Sequence, residues 1–199
     1  MKTSAFLFVF ACLLGVAPLP VVAQQAAGDT PAALSPKKGK ATSAKNAVVT
    51  AAKKCKLING KPSDKASYYF YLFSASWCGP CQREMPEIVK AHKEMKKDGR
   101  CDIILIGADN SVAAMKAYIK SHKAKFSAIW KQDKDVKQMP GISFPPGIPF
   151  VNLVSADGKL LYTGHANCIR DWKQLVDQAD AKKAESAESS EQPGEEPEL

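Results

Sequence analysis

The chain has 199 residues, with 28 Lys+Arg, 20 Asp+Glu and 45% apolar residues, a balance that is ordinary for a globular protein. This length allows one domain with flanking segments, and the composition excludes a collagen, a coiled-coil rod and a wholly disordered chain. No long apolar run follows residue 23, which excludes a membrane protein with several spanning helices.

Residues 1–23 have the layout of a secretory signal peptide. An apolar run over residues 5–16 follows a basic start, two prolines interrupt it, and small residues around Ala23 suit a cleavage site. We therefore expect a periplasmic or secreted protein. The alternatives are a membrane anchor formed by an uncleaved amino-terminal segment and a lipid attached at Cys12.

Two further segments differ in composition from the rest of the chain. Residues 24–47 are rich in Ala, Lys, Pro, Ser and Thr and are predicted to form a flexible linker. Residues 182–199 are predicted to be a disordered acidic tail, because six glutamates lie in the last fifteen positions. The folded domain is expected over residues 48–181.

The domain itself is basic. Residues 46–183 hold 23 Lys+Arg and 13 Asp+Glu, a net charge of +10. Lysines far outnumber arginines, and no stripe of arginines with interleaved aromatic residues is present. We therefore interpret the charge as a solvated basic surface and expect no nucleic acid as partner.

Apolar periodicity predicts alternating strands and helices through the domain. Strands are predicted over residues 55–58, 68–74, 103–106, 126–130, 150–154 and 160–162, the fourth of them as a strand or an extended segment. Helices are predicted over residues 80–97, 112–119 and 172–179. Asp157-Gly158 predicts a hairpin between the last two strands. The order predicts an α/β sandwich with a mixed central β-sheet flanked by helices.

The clearest chemical signal is Trp77-Cys78-Gly79-Pro80-Cys81, where a buried strand meets a helix. A sulfur at a helix start meets free N–H groups and the positive end of the helix dipole, which favour the thiolate. A second cysteine three residues later lies on the same side of the first turn, within reach of a disulfide. The Gly-Pro dipeptide suits the entry into a helix. The pattern predicts that Cys78 attacks a substrate disulfide and that Cys81 resolves the mixed disulfide.

Two other uses of a Cys pair compete with redox catalysis: a zinc half-site and a structural disulfide. Zinc requires four ligands, and Cys55, Cys101 and Cys168 are single and widely separated, so no second pair is available. A structural disulfide does not require the helix start, the Gly-Pro dipeptide or the adjacent Trp77. We therefore predict no metal and no cofactor.

Over residues 50–180 the chain resembles the thioredoxin superfamily. Residues 73–81 (Phe-Ser-Ala-Ser-Trp-Cys-Gly-Pro-Cys) are most similar to the tryparedoxin, nucleoredoxin and exported TlpA-like branches, and Pro86 matches the proline of the active-site helix in thioredoxins. The resemblance implies a thioredoxin-like fold. It also implies a cis peptide bond between Ile148 and Pro149, placed beside the cysteines, with the Ile148 backbone free to pair with a substrate.

The chain departs from the family at one position. Thioredoxins carry a buried Asp six residues before the first cysteine, and Leu72 stands there in this chain. The residue that accepts the proton of the second thiol is therefore undetermined. Glu84 and Glu87 follow on the same helix and are interpreted as solvated.

The resembled fold also suggests places for the remaining cysteines and histidines. It would put the strand near Cys55 parallel and adjacent to the strand that begins near Cys101, so a structural disulfide between these two cysteines is a hypothesis. Cys168 is expected to be a buried, quiescent thiol. His92 and His122 are expected near the surface, at helix ends. His165 is the histidine that would complete a copper site in the alternative of a copper-binding chaperone.

The sequence thus predicts an exported thiol–disulfide oxidoreductase that reduces disulfides in envelope or secreted proteins. The Gly-Pro dipeptide resembles that of reducing members, with potentials near about −270 mV. The expected partners are a disulfide-containing protein and a thiol electron donor such as a membrane thiol carrier, and the chain is expected to be a monomer. The alternative functions are a disulfide oxidase or isomerase for protein folding, and the copper chaperone.

Overall fold

The computed structural model describes residues 46–188, and six strands form one mixed sheet at the centre of this part of the chain. The order across the sheet is β1-β4-β3-β2-β5-β6. The strands are β1 (Leu57–Asn59), β2 (Tyr68–Ser74), β3 (Cys101–Gly107), β4 (Ser127–Trp130), β5 (Phe150–Ser155) and β6 (Leu160–His165). The helices are α1 (Ala47–Ala52), α2 (Gly79–Asp98), α3 (Val112–Ser121) and α4 (Trp172–Glu188).

Strands β2 and β3 form the middle of the sheet and pair in parallel. All seven residues of each strand are buried, which explains why their sequences are apolar throughout instead of alternating. Successive side chains point to opposite faces of the sheet, so Phe70 and Leu72 enter one core and Tyr69 and Tyr71 enter the other.

Helices cover both faces of the sheet, but unevenly. Helices α2, α3 and α4 pack on the face that carries Leu72, and they supply Met85, Tyr118 and Trp172 to that core. The other face is covered by α1 and by a loop that contains Met139. This arrangement confirms the predicted α/β sandwich with a mixed sheet.

Helix α2 connects β2 to β3, and local signals set both of its ends. Cys78 is the N-cap residue, and Pro80 lies in the first turn, where its missing N–H costs no helical hydrogen bond. Gly99 ends the helix with a φ of 86°, in the left-handed region that glycine adopts readily. Lys96 and Lys97 lie in the last turn, where the helix dipole favours positive charge.

The remaining strands follow the predicted pattern. Strand β4 pairs in parallel with β3, and β5 lies antiparallel to β2 on its other side. The hairpin predicted from Asp157-Gly158 is confirmed, because β5 and β6 pair antiparallel across that turn. Both prolines of the Pro145-Pro146 pair lie in the loop before β5, outside the sheet.

Strand β1 differs from the expectation. It lies at one edge of the sheet, but it pairs antiparallel with β4, and β4 separates it from β3. The expectation that β1 would lie parallel and adjacent to β3 is therefore wrong. The reason is the segment formed by α3 and β4, which places a parallel strand at the position that β1 was expected to take.

The predicted boundaries of the domain also shift at both ends. Asn46 accepts a hydrogen bond from the N–H of Val49 (3.0 Å) and caps α1, so the last two residues of the linker predicted over 24–47 are ordered. Helix α4 continues to Glu188, because Ala, Lys and Glu after residue 181 are good helix formers, so residues 182–188 are not a disordered tail. The predicted signal peptide, the rest of the linker and residues 189–199 lie outside the described residues.

Among residues 46–188, no helix is long and apolar enough to cross a membrane.

Candidate active site

The two cysteines of the Cys78-Gly79-Pro80-Cys81 motif form a disulfide at the amino-terminal end of α2. Their Cα atoms are 5.2 Å apart, within the normal range for a disulfide. Cys78 has an extended backbone (φ −86°, ψ 107°) as N-cap, and its Sγ accepts a hydrogen bond from the N–H of Cys81 at 3.3 Å. A helix N–H therefore points at this sulfur, as the sequence predicts for a stabilised thiolate.

The two sulfur-bearing residues differ in accessibility. Cys78 retains 6% of its surface, whereas Cys81 retains 1%. Cys78 is therefore the side from which a substrate can approach, although only a small part of its surface is open. Trp77, next to Cys78 in the chain, has 60% of its surface exposed. Its indole N–H donates to the carbonyl oxygen of Ala108 (3.2 Å).

The loop before β5 forms the second wall of the site. The peptide bond between Ile148 and Pro149 is cis, as the resemblance implies. The Sγ of Cys78 lies 3.7 Å from the carbonyl oxygen of Ile148. Ile148 also packs against the small cluster formed by the cysteines and Ala75. The structure thus brings Cys78, Cys81, Ile148 and Pro149 together.

Gly79 does not need to be glycine for steric reasons in this structure. Its φ lies outside the left-handed region, and a Cβ built there would meet only the Arg83 guanidinium, at an ordinary 3.5 Å. The suitability of the Gly-Pro dipeptide for this helix start therefore does not depend on the conformational freedom of Gly79. Pro80 keeps the role predicted for it in the first turn of α2.

Glu84 is the residue near the cysteines that the sequence reading underrated. It follows Cys81 by one helical turn, and only 15% of its side chain is exposed. Its Oε2 is buried without a hydrogen-bond partner, and its Oε1 lies 3.5 Å from Nδ1 of His165. The interpretation of Glu84 as solvated is wrong, because β6 and the turn after it cover this face of α2. Glu87 is 52% exposed, as expected.

The spacing of Glu84 from Cys81 could have revealed this position. Residues three apart on a helix share a face, so a carboxyl at that spacing lies on the buried side together with the second cysteine. Leu72, where thioredoxins have their buried Asp, packs in the core beside Met85 and offers no proton acceptor. Glu84 is therefore the carboxyl nearest in the helix to the thiol that must lose its proton.

His165 contacts two groups with the same ring nitrogen. Its Nδ1 lies 3.3 Å from the N–H of Asn167, which donates to it, and 3.5 Å from the carboxylate of Glu84. A neutral Nδ1 can accept from Asn167, whereas a protonated one can donate to Glu84. The part of the chain that the structure describes contains no group of three or more His, Cys, Asp or Glu arranged to hold a metal ion.

Asp109 anchors the loop that precedes the cysteines. It is 2% exposed, and its Oδ1 accepts the N–H of Ser76 at 2.9 Å. Its carbonyl oxygen accepts from the indole N–H of Trp130 (2.9 Å), which fixes the loop after β3. Its Oδ2 is buried and has no partner among the described residues.

The disulfide hypothesised between Cys55 and Cys101 is absent from the described structure, where both are free thiols. Cys55 packs in the core on one face of the sheet and Cys101 in the core on the other, so the sheet separates them. Burial, followed by the charges of Asp133 and Asp135, raises the pKa of Cys55 to about 11. Burial also raises the pKa of Cys101.

Cys168 and the other histidines complete the comparison with the sequence. Cys168 is a half-buried free thiol, and burial raises its pKa to about 11, in agreement with a quiescent thiol. His92 is not near the surface as expected: it is 5% exposed in the carboxyl-terminal half of α2 and lies 2.9 Å from Asp102 on β3. His122 caps the end of α3, and burial lowers its pKa.

Known families, sequences and solved structures include proteins that are similar to this chain. Residues 66–160 match the family model described as "Thioredoxin-like". The chain is 32% identical over 97 residues to "Thiol-disulfide oxidoreductase ResA" of Bacillus cereus, covering 49% of this chain and 54% of that protein. It is 29% identical over 101 residues to "Probable nucleoredoxin 1" of Arabidopsis thaliana, covering 50% of this chain and 17% of that protein.

Among solved structures, the fold is similar to a thiol:disulfide interchange protein, thioredoxin family protein, from Chlorobium tepidum. The TM-score is 0.48 at 24% identity, covering 58% of this chain and 81% of that chain. The chain spans about half the length of the bacterial relatives it matches. The matched segment 66–160 contains both cysteines of the disulfide and the cis bond beside it. The part of the chain that is similar to the thioredoxin-like family therefore contains the candidate active site.

Proposed function

We propose that the chain is an exported thiol–disulfide oxidoreductase that reduces disulfides in proteins. The observation that carries the proposal is the disulfide between Cys78 and Cys81 at the start of α2, with Cys78 the more accessible residue and Ile148 beside it. A sulfur at this position can exchange with an incoming disulfide, and the neighbouring sulfur can complete the exchange. The names of the relatives ResA and nucleoredoxin support a redox activity of this kind.

The reaction transfers two electrons and two protons. The Cys78 thiolate attacks one sulfur of the substrate disulfide, forms a mixed disulfide and releases the other substrate sulfur as a thiolate, which takes up a proton. Cys81 then loses its proton and attacks Sγ of Cys78. This step frees the second substrate thiol and leaves Cys78–Cys81 oxidised. An external dithiol must reduce that bond before the next turnover.

Glu84 is the proposed acceptor of the proton from Cys81. Its Oε2 is buried without a partner, one turn after Cys81, so it can take a proton directly or through one water molecule. The backbone of Ile148 is the proposed docking edge for the substrate, which would pair with it as an added strand.

The direction and the location of the reaction are also proposals. The Gly-Pro dipeptide supports a reductant with a potential near about −270 mV, and a measured potential above about −150 mV would identify an oxidant or isomerase instead. The layout of residues 1–23 supports export, and sequencing the amino terminus of the mature protein tests it. The expected result is a new terminus at Gln24.

Turnover of insulin disulfides with dithiothreitol as electron source tests the proposed activity. We expect Cys78→Ser to reduce the rate to that of dithiothreitol alone, because Cys81 is more deeply buried and burial raises the pKa of the other described cysteines. Cys168→Ser is the matched control and should retain the wild-type rate, since Cys168 lies outside the pair. Cys81→Ala should trap substrate on Cys78 as a mixed disulfide visible by mass spectrometry. Full activity of Cys78→Ser would refute the proposal.

A further inference from the structure

A groove opens beside Trp77, next to the candidate active site. Its volume is about 540 Å³, and we call it the lysine groove. Its lining consists of Trp77, Ala108, Asp109, Lys131, Gln132, Asp133, Lys134 and Lys137. Because Trp77 lines the groove and directly precedes Cys78, the groove adjoins the place where a substrate disulfide would react.

The charged groups of the lysine groove are not equivalent. Lys131, Lys134 and Lys137 are exposed, and none of them belongs to an ion pair found among residues 46–188. The two carboxylates of the lining, Asp109 and Asp133, accept hydrogen bonds from backbone N–H groups instead. The groove therefore presents three unpaired ammonium groups to the solvent.

The backbone contacts of the carboxylates are specific. Asp133 accepts from the N–H of Lys56 with one oxygen and from the N–H of Asp135 with the other, both at 2.9 Å. Asp109 accepts from the N–H of Ser76 and is buried. A carboxylate bound in this way is fixed to the chain and does not move to neutralise a lysine at the rim.

Apolar surface flanks the lysines on the side of the cysteines. Trp77 is 60% exposed and Phe144 is 38% exposed, two of the four exposed large apolar side chains among the described residues. The ammonium group of Lys131 lies 5.9 Å above the ring of Phe144. Lys131 therefore links the lysine groove to the loop that carries Ile148 and Pro149.

The occupant follows from the charge and the apolar surface of the groove. The buried carboxylate of Asp109 is not open to a ligand, so the accessible charges are the three ammonium groups. These groups attract carboxylates, and the exposed rings of Trp77 and Phe144 offer an apolar contact that a small anion would not use. Charge and apolar surface together favour an acidic polypeptide as the occupant.

We propose that the lysine groove selects disulfide-bearing polypeptides whose reacting cysteine is flanked by acidic residues. The inference rests on the proposed function, since it names the substrate class of the same site. Carboxylates of the substrate would lie against Lys131, Lys134 and Lys137 while its disulfide meets Cys78. Because these contacts are exposed, the preference should weaken as ionic strength rises.

Two matched disulfide peptides test the inference. They share one sequence, except that Asp and Glu beside the cysteine in the first are replaced by Asn and Gln in the second. With the wild-type chain and dithiothreitol, we expect kcat/KM to be about tenfold higher for the acidic peptide, mainly through a lower KM. The preference should fall at least threefold in 0.5 M NaCl. Equal kcat/KM for the two peptides at low salt would refute the inference.

A pair of triple variants separates the groove from the overall charge of the protein. The test variant carries Lys131→Gln, Lys134→Gln and Lys137→Gln. The control carries Lys116→Gln, Lys120→Gln and Lys123→Gln, three of the lysines around a second groove of about 300 Å³. That groove lies at the far end of α3, which leads away from the active-site edge of the sheet to the start of β4.

Both triple variants remove the same charge, so only position distinguishes them. We expect the test variant to lose the preference for the acidic peptide and the control to keep it. An equal loss in both variants, or a preference retained by the test variant, would refute the inference while leaving the proposed function intact. Failure of the wild-type chain to reduce either peptide would refute the proposed function itself.

Discussion

The buried polar groups at the two ends of α2 differ in whether they have hydrogen-bond partners. At the amino-terminal end, Glu84 and the neighbouring Asp109 each have a buried carboxylate oxygen without a partner. At the carboxyl-terminal end, both oxygens of the buried Asp102 are bonded: Oδ1 lies 2.9 Å from Nε2 of His92, and Oδ2 accepts the N–H of Ser63 at 2.7 Å. One end of α2 therefore lies beside unsatisfied groups near the cysteines, and the other end lies beside a completed network.

This difference indicates that the carboxyl-terminal end of α2 contributes to stability and that the amino-terminal end takes part in the chemistry. A buried polar group with its partners in place helps to hold the fold together, whereas one without a partner destabilises it. Arg100 strengthens the completed end, since it pairs with Asp98 and reaches Asp177 and Asp180 on α4. We interpret the unsatisfied oxygen of Glu84 at the other end as a position kept for a proton.

The largest effect is expected at the carboxyl-terminal end of α2, where both oxygens of Asp102 have partners. Asp102→Ala should lower the free energy of unfolding by about 3 kcal/mol, because His92 and the N–H of Ser63 would lose their partner while buried. Urea unfolding measures the change. Glu94→Ala, which removes an exposed ion pair with Lys173 (3.9 Å), is the control and should change the free energy by less than about 0.5 kcal/mol. A loss below about 1 kcal/mol for Asp102→Ala would contradict the comparison.

Low pH should abolish the contribution of Asp102 to the free energy of unfolding. Burial alone would raise the pKa of Asp102, but hydrogen bonds from His92, Ser63 and Ile103 hold it below the usual value. A lowered pKa means stability that is present above the pKa of the unfolded state, about 3.9, and lost as the pH falls through the folded value. The difference in stability between wild type and Asp102→Asn should therefore stay constant from pH 7 to pH 5 and shrink below about pH 4.

The cysteines provide a second contrast. In the reduced protein at pH 8, we expect Cys55 and Cys168 to react with iodoacetamide a few hundred times more slowly than an unperturbed thiol. Burial raises both pKa values to about 11, so only about 0.1% of each would be thiolate, against about a quarter for a free cysteine. Cys78 should react first. Mass mapping with time gives the order, and fast labelling of Cys55 would contradict the assignment.

How far the sequence alone could lead depends on the range of the contacts involved. The bounds of β2 follow from seven consecutive residues that are all buried, and the Cys78 motif is equally local. Helix α1 could not be predicted from the sequence, because Val48, Val49 and Thr50 are poor helix formers. It is helical because Val48 and Val49 pack on the sheet and Asn46 caps its start.

The candidate site shows the same limit. The pair of cysteines and Ile148-Pro149 could be located from their motifs, since each motif carries its own geometry. The burial of Glu84 depends on β6 and His165, more than seventy residues away, and the burial of His92 depends on Asp102 on the neighbouring strand. Such contacts join segments that no local pattern connects, and only the folded chain shows them.

The smallest effect is expected from Glu84→Gln at the unsatisfied end. Turnover of insulin disulfides should fall about tenfold, because the proton of Cys81 would lose its nearby acceptor. The loss is no larger because water can still carry the proton away from Cys81. The slowed step is the second one, so the mixed disulfide on Cys78 should accumulate during turnover. Quenching with acid and measuring the trapped adduct by mass spectrometry quantifies it.

Glu87→Gln is the matched control, since Glu87 lies on the same helix and is exposed. It should change neither turnover nor the amount of adduct. The stability of Glu84→Gln should equal or exceed that of the wild type, because the substitution replaces a buried carboxylate that has an unpartnered oxygen with a neutral amide of the same size. Loss of activity together with loss of stability would indicate a structural role for Glu84, and the proposed contrast between the two ends of α2 would then fail at this residue.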